Sequence, residues 1–339
     1  MKHRRTYLGL AGLASFALAV AGCSGNNGAD DAAEASDVTT LKVGVLPNIE
    51  ALPIYIAAEN GIFEEHGLKV EPVPAQGGAA LLPAVLEGST DIGFSNILTH
   101  MTAVERGLGT TIVASGPHTM NPDTLEPVGE HNSSVLAVTS DSGIEDVSDL
   151  AGKTISVNAL GGIQEVAVRN AIDSTGGDSE SIELVELPLS QAEGALSGGR
   201  VDAVSVNEPF TTVVLEAGHR EIASPFSDFE HAASNVSIYF ATEAYAEENP
   251  EVIERFRAAL DEVNAYINEN PDEAREQLDT YTDIDAQIRQ KVTLPFYETR
   301  INEASVEEIM QKGAKYGVLE SELPLEDIIG NAPTLTGTE

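Results

Sequence analysis

Apolar positions recur from Leu41 to Ile329 in two alternating rhythms, short runs rich in Val and Ile and longer stretches with apolar residues three and four apart. Short runs bounded by Gly, Pro or Asn predict strands, and the longer period predicts helices with one buried face. Strands are expected at 41–46, 68–72, 92–94 and 111–115, with helices at 52–60, about 79–87 and about 97–106. The plan then repeats, with strands at 154–158, 183–187 and 203–206 alternating with helices at 163–174 and 190–197. Such alternation is the signature of a mostly parallel sheet with helices on its faces, an α/β fold.

A local match supports two units of one design. Gly88-Ser89-Thr90-Asp91-Ile92-Gly93 corresponds to Gly199-Arg200-Val201-Asp202-Ala203-Val204, each leading into a third strand. Between the units lie a polar, Pro-containing stretch at 116–132 and a strand at 134–139. After a strand at 236–242, Glu248-Asn249-Pro250 opens a long helix carrying Val252, Ile253, Phe256, Leu260, Val263 and Ile267 at helical spacing. Further helices are expected near 272–281, 285–295 and 305–316, packed on one unit instead of forming a third.

Charge narrows the functional classes. The 339 residues hold 18 Lys plus Arg against 55 Asp plus Glu, a net charge of −37. Such a chain repels phosphate backbones, so nucleic acid is excluded as a partner. Only 7 of the 18 basic residues are Lys, and an acidic, Lys-poor surface suits concentrated salt, where screening removes most self-repulsion. No Asp-x-Asp-x-Asp-Gly loop or His-x-x-x-His pair suggests a metal site, and no cofactor motif is present.

The one Cys has a telling address. Lys2, Arg4 and Arg5 precede an apolar run at 7–20 that is too short for a mature membrane span, and Val20-Ala21-Gly22-Cys23 follows. This order predicts a lipoprotein signal at 1–22, cleaved before Cys23, which then carries lipid. Arg4-Arg5-Thr6-Tyr7-Leu8 is also compatible with twin-arginine export. Loss of 1–22 leaves 15 basic against 55 acidic residues, or −40. Residues 23–40, almost devoid of apolar side chains, are expected to tether the domain to the outer face of the cytoplasmic membrane.

In open α/β sheets ligands gather at the carboxyl ends of strands. The loops there carry Asn48 and Glu50; Gln76, Gly77 and Gly78; Ser95 and Asn96; Asn158, Gly161 and Gly162; and Glu208. Singly these residues are ordinary caps and turns, but in equivalent places they suggest one shared ligand site. None of the loops contains Lys or Arg, so an anion lacks its best partner, whereas Glu208 suits a ligand with N–H donors such as an aminopyrimidine. Phe94 or Phe210 could stack on a ring, and Arg169 is the nearest basic residue. His100, His118 and His131, with Ser95 or Ser115, are the residues an enzyme could use, yet no Gly-x-Ser-x-Gly or Gly-x-x-x-x-Gly-Lys motif surrounds them.

The segment Leu52-Pro53-Ile54-Tyr55-Ile56-Ala57-Ala58-Glu59-Asn60-Gly61-Ile62-Phe63 resembles the first helix of ABC-importer solute-binding proteins for nitrate, sulfonates, taurine and thiamine-pyrimidine precursors. Gln76-Gly77-Gly78, Gly88-x-x-Asp91-x-Gly93-Phe94, Asp149-Leu150-Ala151-Gly152-Lys153 and Glu248-Asn249-Pro250 extend the likeness along nearly the whole domain. The resemblance implies a two-lobed type II periplasmic-binding fold, with lobe one at 41–133 and 240–339, lobe two at 134–239, and crossings near 133–138 and 234–239. It implies a monomer that closes on a small solute without making or breaking a bond, and then docks on an ABC permease with a cytoplasmic ATPase. The alternatives are an anion receptor of the same fold, a sensor's binding module, or a secreted enzyme. A pyrimidine synthase related to this group carries a cysteine-rich motif, which a chain whose only Cys is Cys23 lacks.

Overall fold

The computed structural model describes residues 38–75, 78–121, 132–227, 229 and 236–335. Cys23 and the tether through residue 37, Gln76, Gly77, His131 and the start of the second crossing lie outside them, while the last two tether residues, Thr39 and Thr40, already belong to a strand.

The chain builds two mixed α/β sheets of five strands each. The first begins with β1 (Thr39–Val45), a 3-10 turn (Ile49–Ala51), α1 (Leu52–Glu59) and α2 (Ile62–Glu65). It continues through β2 (Leu68–Pro74), α3 (Gly78–Leu86), β3 (Ile92–Asn96), α4 (Ile97–Glu105) and β4 (Thr110–Ser115). The second contains β5 (Ser134–Val138), β6 (Thr154–Val157), α5 (Ile163–Ser174), β7 (Glu183–Glu186) and α6 (Leu189–Ser197). It closes with β8 (Ala203–Asn207), α7 (Phe210–Glu216) and β9 (Arg220–Ala223). The chain then returns to the first sheet with β10 (Ser237–Thr242). Helices α8 (Glu243–Glu248), α9 (Pro250–Glu269), α10 (Pro271–Glu276), α11 (Ala286–Arg289), α12 (Glu303–Lys315) and α13 (Leu325–Ile329) complete it.

The strand orders are β2-β1-β3-β10-β4 and β7-β6-β8-β5-β9. Strand for strand they are the same, and in each the fourth position is held by the antiparallel member, β10 or β5. The repeated Asp is a matched device. Asp91 accepts from Lys42 N at 2.7 Å and Asp202 from Thr154 N at 2.9 Å, each tying the entry of the third strand to the start of the first.

Burial explains the runs read from the sequence. All five residues of β5 are buried, as are four of five in β3 and β8, because helices cover both faces of these sheets. Gly93 is required inside β3, since a Cβ there would meet the Phe240 ring and Val85 at 2.8 Å. Helix α9 buries Val252, Ile253, Phe256, Leu260, Val263 and Ile267, the stripe expected of it. Phe256 stacks on Phe63 at 5.8 Å and meets the Tyr239 ring edge-on at 5.6 Å, locking this helix to the first sheet.

One expected helix is mostly absent. Of 285–295 only Ala286–Arg289 is helical, because the following backbone groups are engaged by distant residues. Arg275 Nε donates to Val292 O at 2.7 Å, Thr293 N donates to Glu208 Oε1 at 2.9 Å, and Phe296 and His118 exchange backbone hydrogen bonds at 2.7 and 3.0 Å. Among the described residues no helix is long and apolar enough to cross a membrane.

Candidate functional site

The carboxyl ends of strands from both sheets open on a common cleft of about 700 Å³. From the first sheet it takes Leu46, Asn48 and Glu50 after β1, Ala80, Leu82 and Pro83 of α3, and Phe94 and Asn96 at the end of β3. From the second come residues 158–164, the loop after β6 and the first residues of α5, Glu186 at the end of β7, Pro188 after it, and Asn207 at the end of β8.

Asn48 and Glu50 sit in a turn whose backbone is held from behind. Tyr281 Oη donates to Asn48 O at 3.1 Å, Tyr297 Oη donates to Ile49 O at 2.8 Å, and Ile49 N donates to Glu208 O at 3.3 Å. Tyr281 is itself stacked on Tyr55 at 4.0 Å, so Tyr55 supports the turn instead of facing solute. Within the turn Asn48 Nδ2 donates to Glu50 Oε2 at 3.3 Å, leaving Asn48 Oδ1 buried with no partner among the described residues. Burial lifts the Glu50 carboxyl from its ordinary 4.5 to about 7, an effect that hydrogen bonds from Asn48 and Asn207 only partly offset.

The opposite wall is a polar relay. Gln164 Oε1 accepts from Asn158 N at 2.8 Å while its Nε2 donates to Asn207 Oδ1 at 3.4 Å. Leu160 N donates to Glu186 Oε2 at 3.0 Å and Gly161 N donates to Glu165 Oε2 at 2.9 Å, so two carboxylates already occupy the donors of this loop. Asn96 caps α4 by accepting from Thr99 N at 3.0 Å, and Thr99, Thr102 and Arg106 continue along the same helix face into the cleft.

Asn48, Glu50, Asn96, Asn158, Gly161 and Gly162 thus come together, while Gly78 opens the helix whose next turn lines the cleft. Ser95 lies buried in β3 away from the cleft wall. Glu208 also stands off the wall. It is fully buried, and its carboxylate accepts from Thr212 N at 3.0 Å, Thr212 Oγ1 at 2.8 Å and Thr293 N. The expectation that Glu208 receives the ligand's N–H groups fails because protein donors fill it; Glu50 is the carboxylate that reaches the cleft. Phe94 lines the cleft but Phe210 packs with the apolar residues behind the second sheet. Arg169 is held by Glu165 at 2.9 Å and Ser179 O at 2.6 Å. His100, bonded to Ile328 O at 2.9 Å, and His118, bonded to Arg300 O at 3.0 Å, are buried, and burial lowers both to about 4, so they are neutral.

Gln164 and the α4 stripe were not singled out from the sequence, although a signal existed for the stripe. Asn96 and Asn207 follow the two matched Gly-x-x-Asp segments at the same spacing, and Asn96, Thr99, Thr102 and Arg106 are polar at helical intervals on an otherwise apolar helix.

Beyond the cleft the two sheets are tied at several points. Lys291 pairs with Glu216, Lys315 Nζ lies 3.1 Å from Asp173, and Tyr316 Oη donates to Asp173 Oδ2 at 3.0 Å.

The profile described as NMT1/THI5 like matches residues 48–274. The chain is 25% identical over 269 residues to a formylaminopyrimidine-binding protein of Halalkalibacterium halodurans, covering 78% of this chain and 76% of that one. It is 21% identical over 274 residues to a 4-amino-5-hydroxymethyl-2-methylpyrimidine phosphate synthase of Saccharomyces cerevisiae, covering 78% and 76%. In structure it resembles the periplasmic aliphatic sulphonate binding protein SsuA of Escherichia coli, with a TM-score of 0.70 at 20% identity over 88% of this chain and 94% of that one. That likeness establishes the periplasmic-binding-protein fold, and the relatives include solute-binding proteins of ABC importers.

Proposed function

The chain belongs to the NMT1/THI5-like family, and from that premise we propose that it is the extracytoplasmic receptor of an ABC importer, capturing a small polar solute of the aminopyrimidine kind. The observation that carries this reading is the carboxylate of Glu50 beside the unpartnered Asn48 Oδ1, two acceptors at one end of a cleft walled by both sheets. An aminopyrimidine offers N–H donors to such a pair and a flat ring to Phe94.

The two sheets then act as lobes, 41–133 with 240–339 and 134–239, and solute that touches both favours the closed form by its differential affinity. The protein is a monomer that changes no bond in its solute and hands it to a permease driven by a cytoplasmic ATPase. Lipid on Cys23 holds it at the outer face of the cytoplasmic membrane, and the mature chain's net charge of −40 keeps it soluble in strong salt. Cys23→Ala is expected to move the protein from membrane to medium, read by immunoblot of the two fractions; retention on the membrane refutes the anchor. Mass spectrometry of solute released from native protein tests the capture, and a reaction product formed from that solute on incubation refutes the receptor.

One observation favours a second reading. Arg106 lines the cleft, and its guanidinium, with no hydrogen bond or ion pair among the described residues, suits the sulfonate or nitrate of an anion receptor. Two carboxylates, Glu50 and Glu186, line the same cleft and oppose it.

A further inference from the structure

We propose that the Asn48–Glu50 end of the cleft binds a positively charged nitrogen group on the solute, so that capture requires Glu50 in its ionised form. The inference rests on the receptor reading and adds the charge of the ligand and the pH at which it is held.

A carboxylate withdrawn from water needs a cation or several donors to repay its lost hydration. Within the protein Glu50 has amides alone, Asn48 from its own turn and Asn207 from β8 of the other sheet. The titratable groups whose charge acts together with it are Tyr239 of β10 and Tyr297 of the segment after α11; burial raises both, so they stay neutral and supply no positive charge. Arg106 lies at the far end of α4, about 15 Å along the helix axis from Asn96. No Lys, Arg or His is paired with Glu50 among the described residues.

The neighbouring atoms select the same chemistry. Asn48 is 4% exposed, its Nδ2 points to Glu50, and its Oδ1 is a second acceptor without a partner among the described residues. Two acceptors side by side match an ammonium, an amidinium or a protonated aminopyrimidine edge, each with at least two N–H groups on one cation. An anion at this end would meet the Glu50 carboxylate.

Because burial holds the Glu50 carboxyl near 7, a cation must compete with a proton there. Affinity for it is then full above about pH 7 and falls about tenfold for each unit below. A neutral solute shows no such slope, and an anion shows the opposite one.

Calorimetric titration of the mature protein with benzamidinium, benzamide and benzenesulfonate, from about pH 8 to about pH 5.5, separates these cases. Benzamidinium is expected to bind at least tenfold more tightly than benzamide at the upper end and to lose that advantage at the lower. Glu50→Gln should abolish both the preference and the slope, and Glu50→Asp should restore them; thermal melting of each variant shows that it is folded. Tighter binding of benzenesulfonate, or a cation affinity independent of pH, overturns the charge assignment and leaves the receptor intact. Binding of none of the three, with no solute released from the native protein, overturns both.

Discussion

The two sheets share strand order, the direction of every strand and the Asp that opens the third strand, yet they meet the cleft with different chemistry. The first sheet brings a carboxylate on a 3-10 turn, clamped by Tyr281 and Tyr297. The second brings uncharged amides and glycines of 158–164, in which backbone donors are already taken by Glu165 and Glu186. Their third strands differ again one residue on. After Asn96 comes buried Ile97, and after Asn207 comes buried Glu208. A common scaffold therefore supports a carboxylate on a clamped turn on one side and a loop of amides and glycines, edged by Glu186, on the other, because strand order depends on core packing while loop residues are free to vary.

The strongest way to break that comparison is at Glu208. Removing its carboxylate in Glu208→Ala strands the buried donors of Thr212 and Thr293, an expected loss of about 3 kcal/mol, whereas Ile97→Val at the matched place costs about 1 kcal/mol. Urea unfolding measures both; equal losses, or a change in solute affinity with stability intact, would return Glu208 to the binding site.

Acid sharpens the contrast next. His100 and His118, beside the first sheet, fall from 6.5 to about 4 on folding. The unfolded chain thus binds more protons between these values, and their stabilising effect is complete above 6.5 and lost as pH falls toward 4. Glu50 acts in the other direction, since its folded value of about 7 exceeds 4.5 and the folded chain holds the extra proton. Lowering pH from about 7 to about 5 is expected to reduce stability by about 1–2 kcal/mol, by almost nothing in His100→Gln and by roughly twice as much in Glu50→Gln. A urea midpoint in Glu50→Gln no more acid-sensitive than in the parent contradicts the assignment.

The smallest effect tests the symmetry itself. Asp91→Ala and Asp202→Ala each delete one short bond to a backbone N–H and should each cost about 1 kcal/mol, adding in the double variant because they lie in separate sheets. A large imbalance in thermal melting would mean that one Asp has a further task.

Where local pattern decided structure, the sequence was legible. The α9 stripe, the buried β5 run and the repeated Gly-x-x-Asp segment all appear where periodicity put them. Segment 285–295 defeated that reading because Arg275, 17 positions before Val292, and Glu208, 85 positions before Thr293, take its backbone groups. The candidate site was legible in its strand-end loops but not in its charge. Glu50 and Glu208 both follow strands, and which of them reaches the cleft is settled by Thr293, which lies 85 positions from Glu208.

The antiparallel fourth strand has a bearing on how the chain assembles. As the polypeptide emerges N-terminus first, the inner position of the first sheet cannot be filled until residues 237–242 are made, while every strand of the second is present by residue 223. The half synthesised later is thus able to finish folding first, and the half carrying Glu50 waits on it with β3 and β4 unbridged.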